Sequence, residues 1–368
     1  MNRILAAVMP GPGLPIEIRE FPQPALEVGA AMMSVTLSEV CGTDVHLHSG
    51  RLANVPYPII PGHVSVGILS EIRGSLVDVD GRRLREGDFV SFLDVHGTCG
   101  RCWYCAVAHA TTRCPQRKVY GVTYGVEDGL AGGWAQTIYL KPETRCISLE
   151  LPNPETFMAG GCSLPTALHA VQRAEISIGD TVLVLGSGPV GLSIIICSLL
   201  RGANRVLCIG GPAARLRTAL KVGAHAALDF LEHQDTEQIE WVHQLTHGRG
   251  ADITLEATGD PTAVAKAMRC TRDAGRVVVV GQYTDHGEVP FNPHLDLNMK
   301  HLEVRGCWGA DFSHFYRAAQ LMSDTRFSTR WSLIPLKRYS LQNAGAALAS
   351  VAQGADHKAL IDPHLPMA

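Results

Sequence analysis

Between residues 166 and 310, short runs of continuous hydrophobic residues alternate with longer stretches of helical pattern. A run such as Val277-Val278-Val279-Val280 has no polar alternation, which is typical of a strand that is buried on both faces. Strands that alternate with helices at this spacing indicate βαβ units and a parallel sheet. The strands that the pattern predicts are Thr181–Leu185, Arg205–Ile209, Ala226–Leu228, Ile253–Glu256 and Arg276–Val280. We therefore predict a doubly wound α/β domain in this part of the chain.

Residues 1–155 have a different texture, because Gly and Pro interrupt the hydrophobic pattern every few positions. The stretches between turn sequences such as Pro10-Gly11-Pro12-Gly13 and Asp80-Gly81 are short and are interpreted as strands. The apolar run that ends at Pro10 is also interpreted as a strand, since it lacks the h-region and the small-residue cleavage site of a secretion signal. A β-rich domain is predicted here, and residues 311–368, of mixed helix and loop, are expected to rejoin it.

Composition limits the function classes that the chain can belong to. Its 368 residues are 46% hydrophobic, its formal net charge is −3, and its length suggests two or three domains. The near-neutral charge and the absence of a basic patch argue against nucleic acid as a partner. The longest apolar run, Gly191–Leu200, is too short to span a bilayer. We therefore expect a soluble, cytoplasmic protein that binds neither nucleic acid nor a membrane.

A glycine motif, GxGxxG, follows the first predicted strand of the α/β domain and precedes a helical run. In this strand–turn–helix context the motif predicts a dinucleotide site. Gly186 permits the tight turn, Gly188 lets the backbone approach a pyrophosphate, and Gly191 permits close helix–strand packing. The free N–H groups of the helix N-terminus then face the phosphates. The predicted cofactor-binding residues are Gly186, Gly188, Pro189, Val190, Gly191, Gly210 and Arg215.

The choice between NAD and NADP is left open by the second strand of this domain. It ends in Cys208-Ile209-Gly210-Gly211-Pro212, without the acid that usually bonds the ribose 2′-hydroxyl of NAD. A missing acid removes repulsion against a 2′-phosphate, and Arg215 on the next turn would pair with one. Arg215 would equally well flank the adenosine of NAD, so both cofactors are retained.

Four cysteines lie within sixteen residues, in the segment that begins Cys99-Gly100-Arg101-Cys102-Trp103-Tyr104-Cys105 and ends at Cys114. A reducing cytosol disfavours two disulfides, whereas zinc suits four thiolates in tetrahedral geometry. A closed site of four cysteines leaves no position for substrate, so this metal is expected to stabilise a loop and to catalyse nothing. Redox-active or unpaired thiols are the alternative.

Three further segments offer donors for a second, open metal site. They carry Cys41, His63 after Pro61-Gly62, and Cys162 after Gly161, just before the α/β domain. Two thiolates and one imidazole leave the fourth position of a tetrahedral zinc for water or substrate, and this is the catalytic ligand set of alcohol dehydrogenase itself. Coordination of an alcohol to such a metal lowers the pKa of its hydroxyl and favours the loss of hydride.

In these motifs the chain resembles the zinc-dependent alcohol dehydrogenases of the medium-chain dehydrogenase/reductase superfamily. The resemblance covers almost the whole length, and the motifs follow family order: Cys41–His46, Pro61–His63, the four-cysteine segment, Gly161-Cys162, Gly186–Gly191 and Glu256-Ala257-Thr258-Gly259. It implies a GroES-like, β-rich catalytic domain over residues 1–163 with a structural zinc lobe at about 97–115, a Rossmann cofactor domain over residues 164–306, and a return to the catalytic domain over residues 307–368.

The resemblance also implies roles for individual residues. Thr43 would take the alcohol proton, His46 would carry it towards solvent past the cofactor ribose, and Asp44 would hold a metal-bound histidine in position. Two zinc ions per chain are implied, a catalytic one held by Cys41, His63 and Cys162 and a structural one held by Cys99, Cys102, Cys105 and Cys114. NAD or NADP, a small alcohol or carbonyl substrate, and a homodimer or homotetramer are implied as well.

Some positions depart from the family pattern or have no assigned role. Family members often have Gly-His-Glu where this chain has Gly62-His63-Val64, and that glutamate is thought to help ligand exchange at the zinc. The interval from Cys105 to Cys114 is one residue longer than the common spacing. Less specific candidates are Asp94 and His96, as cleft or surface residues, Trp308, as a packing residue, and Lys358, where family members often have a basic group.

The leading hypothesis is reversible hydride transfer between an alcohol and NAD(P), which gives an aldehyde or a ketone. The enzymatic alternative is an NADPH-dependent carbonyl reductase, motivated by Arg215 and the missing acid. An alternative from another class is a catalytically weak zinc and dinucleotide-binding sensor or subunit, for which Val64 is the support. A zinc-ribbon nucleic-acid binder fits the four-cysteine segment alone and conflicts with the charge.

Overall fold

The computed structural model describes residues 3–150 and 153–366. The chain divides into two compact units. Unit 1 comprises Met1–Cys162, Asp311–Ser328 and Pro335–Ala368, and unit 2 comprises Ser163–Ala310 and Thr329–Ile334.

The N-terminal part of unit 1 contains mainly short strands. They are β1 Arg3–Val8, β2 Glu17–Pro22, β3 Ala31–Val40, β4 Ser65–Ile72, β5 Leu76–Val77, β6 Arg83–Leu84, β7 Phe89–Phe92, β8 Val95–Gly97, β9 Lys118–Val119, β10 Thr137–Leu140 and β11 Cys146–Ser148. The α-helices are α1 Gly42–His48, α2 Trp103–Ala106 and α3 Pro154–Gly160. Single 3₁₀ turns lie at Thr111–Arg113 and Val126–Asp128.

Unit 2 alternates strands and helices as the hydrophobic pattern predicts. Its elements are α4 Ser163–Ala174, β12 Thr181–Leu185, α5 Pro189–Leu200, β13 Arg205–Gly210, α6 Ala213–Val222, β14 Ala226–Asp229, α7 Asp235–Leu245, β15 Ala251–Glu256, α8 Thr262–Cys270, β16 Thr271–Val279, a π-helical turn Pro293–Asn298 and β17 Glu303–Gly306. The chain then returns to unit 1 with α9 Phe312–Ser323, α10 Thr325–Ser328, β18 Leu336–Ser340, α11 Ala344–Ala352 and β19 Lys358–Asp362, while the turn Trp331–Leu333 belongs to unit 2 and Leu341–Asn343 to unit 1.

The main sheet of unit 1 is built around β3. In the described residues its strand order is β11-β7-β4-β3-β19-β18, with β10 also paired to β3. Because side chains alternate between the faces of a strand, Met32 and Met33 lie in two different hydrophobic cores, one on each side of the sheet. The strand is thus covered on both faces, and its C-terminal end leads directly to Cys41.

The sheet of unit 2 is parallel throughout, with the strand order β14-β13-β12-β15-β16-β17 in the described residues. The order reverses between β12 and β15, which is the place where a doubly wound sheet binds a dinucleotide. Helix α5 begins at Pro189, whose fixed φ suits the first helical position. Residues on every side of this helix are buried, because it packs between the sheet and neighbouring helices.

The predicted strands of unit 2 are confirmed, with β12 at the predicted bounds and most of the others within one or two residues. The start of β16 differs more: the strand begins at Thr271, ahead of the predicted Arg276, because polar Arg272 and Asp273 hide it from a hydrophobic pattern. Strand β17 was not predicted, since this mostly exposed strand lies at the sheet edge. No helix among the described residues is long and apolar enough to cross a membrane.

Candidate active site

The donor atoms of Cys41, His63 and Cys162 meet in unit 1, all within 4.8 Å of one another. Nε2 of His63 lies 3.8 Å from Sγ of Cys41 and 3.2 Å from Sγ of Cys162. A tetrahedral zinc with ordinary bond lengths separates a nitrogen and a sulfur ligand by about 3.6 Å. The three side chains therefore fit one zinc ion, with the fourth position left for an oxygen ligand.

Each of the three residues lies where a regular element ends or begins. Cys41 follows β3 and is the N-cap of α1, His63 lies just before β4, and Cys162 follows α3. At Gly62 the chain has φ +90°, and a Cβ there would lie 2.5 Å from both Ser38 Oγ and the Trp134 ring. The His63 turn therefore requires glycine, which explains the Pro-Gly-His sequence.

The local structure at Cys41 is a reciprocal cap. The Thr43 N–H donates to the Cys41 Sγ at 3.3 Å, and the Cys41 N–H donates to Oδ2 of Asp44 at 2.9 Å. A capping box of this kind uses polar side chains to satisfy free N–H groups at a helix start. The cap therefore helps to fix the sulfur at its place 3.8 Å from Nε2 of His63.

The three donors shift one another's pKa values. The hydrogen bond between Cys41 and Cys162 holds the pKa of the Cys41 thiol well below its ordinary value. The same hydrogen bond raises the pKa of the Cys162 thiol well above its ordinary value. Burial lowers the pKa of His63, but the charge of Cys41 and their hydrogen bond outweigh it and raise the pKa to about 10. Zinc ligation requires thiolate and neutral imidazole, so metal binding must displace protons here.

Asp44 is fully buried beside these groups. Burial raises the pKa of its carboxyl well above the ordinary value, and the charge of Cys41 acts in the same direction. Oδ1 of Asp44 and Nδ1 of His63 are both buried atoms without a hydrogen-bond partner. The Nδ1 atom is the ring nitrogen that faces away from the two sulfurs, where metal-bound histidines commonly have a carboxylate partner.

Thr43 and His46 lie on α1, three residues apart, and both are partly exposed. Residues with this spacing are neighbours on one helix face. The buried residues of α1 are Asp44 and Leu47. The two residues with predicted proton roles therefore lie on the more accessible side of the helix that Cys41 caps.

Two polar residues before the cysteine lobe have different environments. The charge of Asp94 acts on both His63 and Cys162, so this carboxylate is close to the three donors. His96 contacts the Tyr124 hydroxyl at 2.5 Å and the Pro142 carbonyl at 2.8 Å. Asp94 therefore belongs to the surroundings of the candidate site, whereas His96 connects parts of the unit 1 framework.

The four-cysteine segment folds around a second group of donors. Its four sulfurs also lie within 4.8 Å of one another, and Sγ of Cys114 is 3.6 Å from Sγ of Cys99. Two sulfur ligands of a tetrahedral zinc are about 3.8 Å apart. Backbone N–H donors from Arg101 and Cys102 lower the pKa of Cys99 to about 6, which favours the ligating thiolate. The lobe thus fits a zinc ion with no open position.

In unit 2 the glycine turn has the geometry of a phosphate cradle. A Cβ on Gly191 would lie 1.9 Å from the Gly186 carbonyl oxygen, so close packing of α5 against the turn excludes any side chain. At Gly188 the nearest atom to such a Cβ is Nη1 of Arg215, at 3.9 Å. The protein itself leaves room at Gly188, and this is the place where a pyrophosphate approaches the backbone.

An acid that the sequence analysis missed lies beside the end of β13, on the neighbouring strand β14. Gly210 pairs with Asp229, the last residue of β14, and Oδ1 of Asp229 lies 3.0 Å from the position of a Cβ on Gly211. The acid absent from the end of β13 is thus present on the adjacent strand. The sequence offers a signal in Asp229, which directly follows the predicted strand Ala226–Leu228. The register that places Asp229 beside Gly210 cannot be seen in one sequence.

Glu256 organises the neighbouring loops of the same sheet edge. Its Oε1 accepts hydrogen bonds from the N–H groups of Thr258 and Gly259, at 2.6 and 3.1 Å, and its Oε2 accepts one from Gly281 at 3.2 Å. The Glu-Ala-Thr-Gly motif therefore has a structural role in shaping this edge. Trp308 is a packing residue, as predicted: its ring stacks on Tyr283, and its Nε1 donates to the Tyr283 carbonyl at 2.9 Å.

Comparisons with known proteins agree with this structure. The model of the alcohol dehydrogenase GroES-like domain matches residues 27–152, and that of the zinc-binding dehydrogenase domain matches residues 189–324. The 5-exo-hydroxycamphor dehydrogenase of Pseudomonas putida is 31% identical over 92% of each chain.

Solved structures of related proteins have the same fold as this chain. An alcohol dehydrogenase from Thermotoga maritima has a TM-score of 0.93 and 32% identity, over 99% of this chain and 100% of the other. A protein described as a zinc-binding dehydrogenase, from Sinorhizobium meliloti 1021 and bound to NADP, has a TM-score of 0.83 and 25% identity, with the same shares covered. The predicted fold class, a GroES-like domain with a Rossmann domain, is confirmed. The chain belongs to the zinc-dependent alcohol dehydrogenases of the medium-chain dehydrogenase/reductase superfamily, and it is an oxidoreductase of the alcohol-acting type with zinc and NAD or NADP as its cofactors.

Proposed function

We propose that this protein oxidises a secondary alcohol to a ketone, and reduces the ketone in the reverse direction, at a zinc ion held by Cys41, His63 and Cys162. The observation that carries the proposal is the convergence of these three donors within 4.8 Å. Three protein ligands leave one coordination position for a substrate oxygen, whereas the four-cysteine lobe leaves none. When bound, the metal supplies a Lewis acid that makes an alcohol hydroxyl easier to deprotonate.

The proposed substrate class, a secondary alcohol, is inferred from the name of a related protein. The relative from Pseudomonas putida is named for 5-exo-hydroxycamphor, whose hydroxyl is carried by a carbon with two carbon neighbours. A secondary alcohol is therefore the first class to test, and the product of its oxidation is a ketone. At 31% identity the ring system itself is not transferred to this chain.

The protein's own groups provide the proton route in this proposal. Bound NAD(P)⁺ would supply the acceptor for the hydride of the alcohol carbon. Oγ1 of Thr43 would accept the proton of the alcohol oxygen while the hydroxyl proton of Thr43 passes on towards His46. His46, one turn further along α1, moves that proton towards solvent. Asp44 holds His63 in position, and its full burial and the action of its charge on His63 support this role. In the predicted division of the chain, residues 1–163 and 307–368 carry this chemistry and residues 164–306 hold the cofactor.

The test is turnover of an alcohol panel by protein whose zinc content has been measured. Borneol-type and acyclic secondary alcohols, primary alcohols and a polyol are each assayed with NAD⁺ and NADP⁺ by the absorbance of the reduced nicotinamide. We expect the highest kcat/KM for a secondary alcohol. A protein with two zinc ions per chain that oxidised none of these alcohols would favour the sensor alternative, and a preference for primary alcohols would contradict the proposed substrate class.

An NADPH-dependent carbonyl reductase is the second candidate, because Arg215 lies beside the cradle at Gly188. A guanidinium at this place would pair with a 2′-phosphate. Comparison of the dissociation constants for NAD⁺ and NADP⁺ decides between the two candidate functions. A preference for NAD⁺ of about tenfold, or 1.4 kcal/mol, would exclude the reductase.

A further inference from the structure

A buried ion pair in unit 1 has no part in the proposed reaction. Nζ of Lys358, the first residue of β19, lies 2.8 Å from Oε1 of Glu39, near the end of β3. The two side chains are only 0% and 2% exposed. Burial of two charges is costly, and such a pair is weak evidence of stabilisation by itself. Its contacts therefore indicate what it does.

The contacts of the pair lead to a metal ligand. The other carboxylate oxygen of Glu39, Oε2, accepts a 2.7 Å hydrogen bond from the backbone N–H of Cys162. Nζ of Lys358 also donates to the carbonyl oxygens of Ala159, at 3.3 Å, and Gly160, at 3.1 Å. These carbonyls belong to the last turn of α3, which has few internal partners for its C=O groups. Both ends of the turn that presents Cys162 are therefore attached to the same ion pair.

The turn packs directly against the pair. A Cβ at Gly161 would lie 2.0 Å from Oε2 of Glu39 and 2.7 Å from Nζ of Lys358. Gly161 has φ +45°, in the left-handed region that favours glycine. The glycine before Cys162 is thus required by the ion pair as well as by the backbone.

The same carboxylate is fixed to the two other donors through the sheet. Glu39 lies two residues before Cys41 on β3, and its N–H donates to the Val64 carbonyl at 2.9 Å, next to His63. Val64 carries no carboxylate, and the adjacent strand supplies a buried one in Glu39. One strand therefore connects all three donors: two through its backbone and Cys162 through the Glu39 side chain.

We propose that Glu39 and Lys358 are positioning residues that set the place of Cys162 relative to Cys41 and His63 in the zinc site. The inference rests on the proposed function only in that these three residues hold zinc. It predicts that loss of the pair loosens metal binding while the rest of the fold persists. Partners of this kind commonly alter metal affinity by about 10- to 100-fold.

The test uses two double variants of the full chain. Glu39→Leu/Lys358→Met removes both charges and the acceptor for the Cys162 N–H, so no unpaired charge is left buried. Glu39→Gln/Lys358→Met also removes both charges but keeps an amide oxygen that can accept this hydrogen bond. Zinc release to a chelator is followed in time for both variants. The release phase of the three-donor site is identified by its absence in Cys162→Ser.

A matched control is available in unit 2. Nζ of Lys300 is half-buried and donates to the carbonyl oxygens of Met268 at 2.7 Å and Thr271 at 2.5 Å, at the end of α8. Lys300→Met therefore removes a lysine that binds helix-terminal carbonyls but contacts no metal ligand. It should lower the melting temperature without a change in zinc release.

We expect zinc release at least tenfold faster in Glu39→Leu/Lys358→Met and a smaller increase in Glu39→Gln/Lys358→Met. Cobalt exchanged into the three-donor site should show shifted visible absorption bands in the first variant. Release and spectra equal to those of the wild type, in a variant that folds, would overturn the proposal. If the Leu/Met variant does not fold, the Gln/Met variant decides by the same measurements. None of these readouts depends on alcohol oxidation, so failure of the proposed function is recognised separately.

Discussion

Nε2 of His63 lies 3.2 Å from Sγ of Cys162, although 99 positions separate the two residues in the chain. Strand pairing brings this contact about: His63 precedes β4, β4 pairs with β3, and Glu39 of β3 binds the backbone of Cys162. Removal of one donor from such a set is therefore expected to affect the metal more than the fold.

Cys162→Ala should reduce the zinc content from two ions to one per chain and lower turnover by about 1,000-fold or more, or about 4 kcal/mol. The melting temperature should change little, because the ligand lies at the end of a helix rather than in a core. The control is Cys208→Ala, which truncates a buried cysteine of β13. That variant should lose about 1 kcal/mol of stability and keep both zinc ions. Full activity of a Cys162→Ala protein with one zinc would refute the ligand assignment.

Cys102→Ser should remove the other zinc ion and leave the Cys41 site loaded. The lobe has little buried apolar surface of its own, since Trp103, Tyr104 and Val107 are exposed, so its order depends on the metal. Cleavage by trypsin after Arg101 or Arg113 should become roughly tenfold faster, because local opening exposes the backbone. Peptide mapping measures it, and an unchanged cleavage rate with the zinc lost would show that the lobe is held without metal.

Alanine at the two cradle glycines should separate ligand binding from folding. Gly191→Ala places a Cβ 1.9 Å from a backbone carbonyl and should cost about 3 kcal/mol or more of unfolding free energy. Gly188→Ala meets no protein atom closer than 3.9 Å, so stability should change by less than about 0.5 kcal/mol. Its dissociation constant for dinucleotide, measured by calorimetry, should nevertheless rise about tenfold or more. Normal dinucleotide affinity in Gly188→Ala would place the pyrophosphate elsewhere.

Arg215 and Asp229 should act in opposite directions on cofactor choice. Arg215→Gln removes a cation beside the cradle and should weaken the binding of NADP⁺ more than that of NAD⁺. Asp229→Asn removes the acid next to Gly210 and should strengthen the binding of NADP⁺, because a carboxylate repels a 2′-phosphate. Fluorescence titration of both variants with both cofactors measures the ratio of affinities. If each variant changed the affinity for both cofactors equally, neither residue would contribute to the choice between NAD⁺ and NADP⁺.

Asp296 should make stability depend on pH. Two N–H groups of Arg269 donate to its carboxylate, at 3.1 and 3.3 Å, and hold its pKa below the ordinary value. Because the folded-state pKa is the lower one, the stabilisation is present above about pH 4, the ordinary range of an aspartate, and is lost as pH falls through the lowered value. Asp296→Asn should cost on the order of 1 kcal/mol at pH 7 and almost nothing near pH 2. Urea unfolding at several pH values checks this, and a difference that stayed constant with pH would contradict it.

Much of the fold and of the candidate site follows from local sequence. The apolar runs of β12 to β16 mark a parallel sheet because strands that are covered on both faces consist mostly of apolar residues. The glycine turn can be identified from its position between strand and helix, since each glycine meets a separate steric need. Cys99 to Cys114 form a metal lobe because donors so close in sequence can meet without help from distant elements. The sequence also predicted a three-donor set from Cys41, His63 and Cys162, and the structure brings the donor atoms of these residues within 4.8 Å of one another.

Tertiary structure alone decided which distant polar residues meet. Lys358 and Glu39 are residue types that usually face solvent, and they lie 319 positions apart, so nothing local indicates that both are buried. Asp229 likewise became a neighbour of Gly210 through the register of β13 and β14. Local sequence determines the elements, because backbone sterics and apolar periodicity act over a few residues. Contacts between the ends of those elements depend on register and strand order, which only the assembled sheet sets.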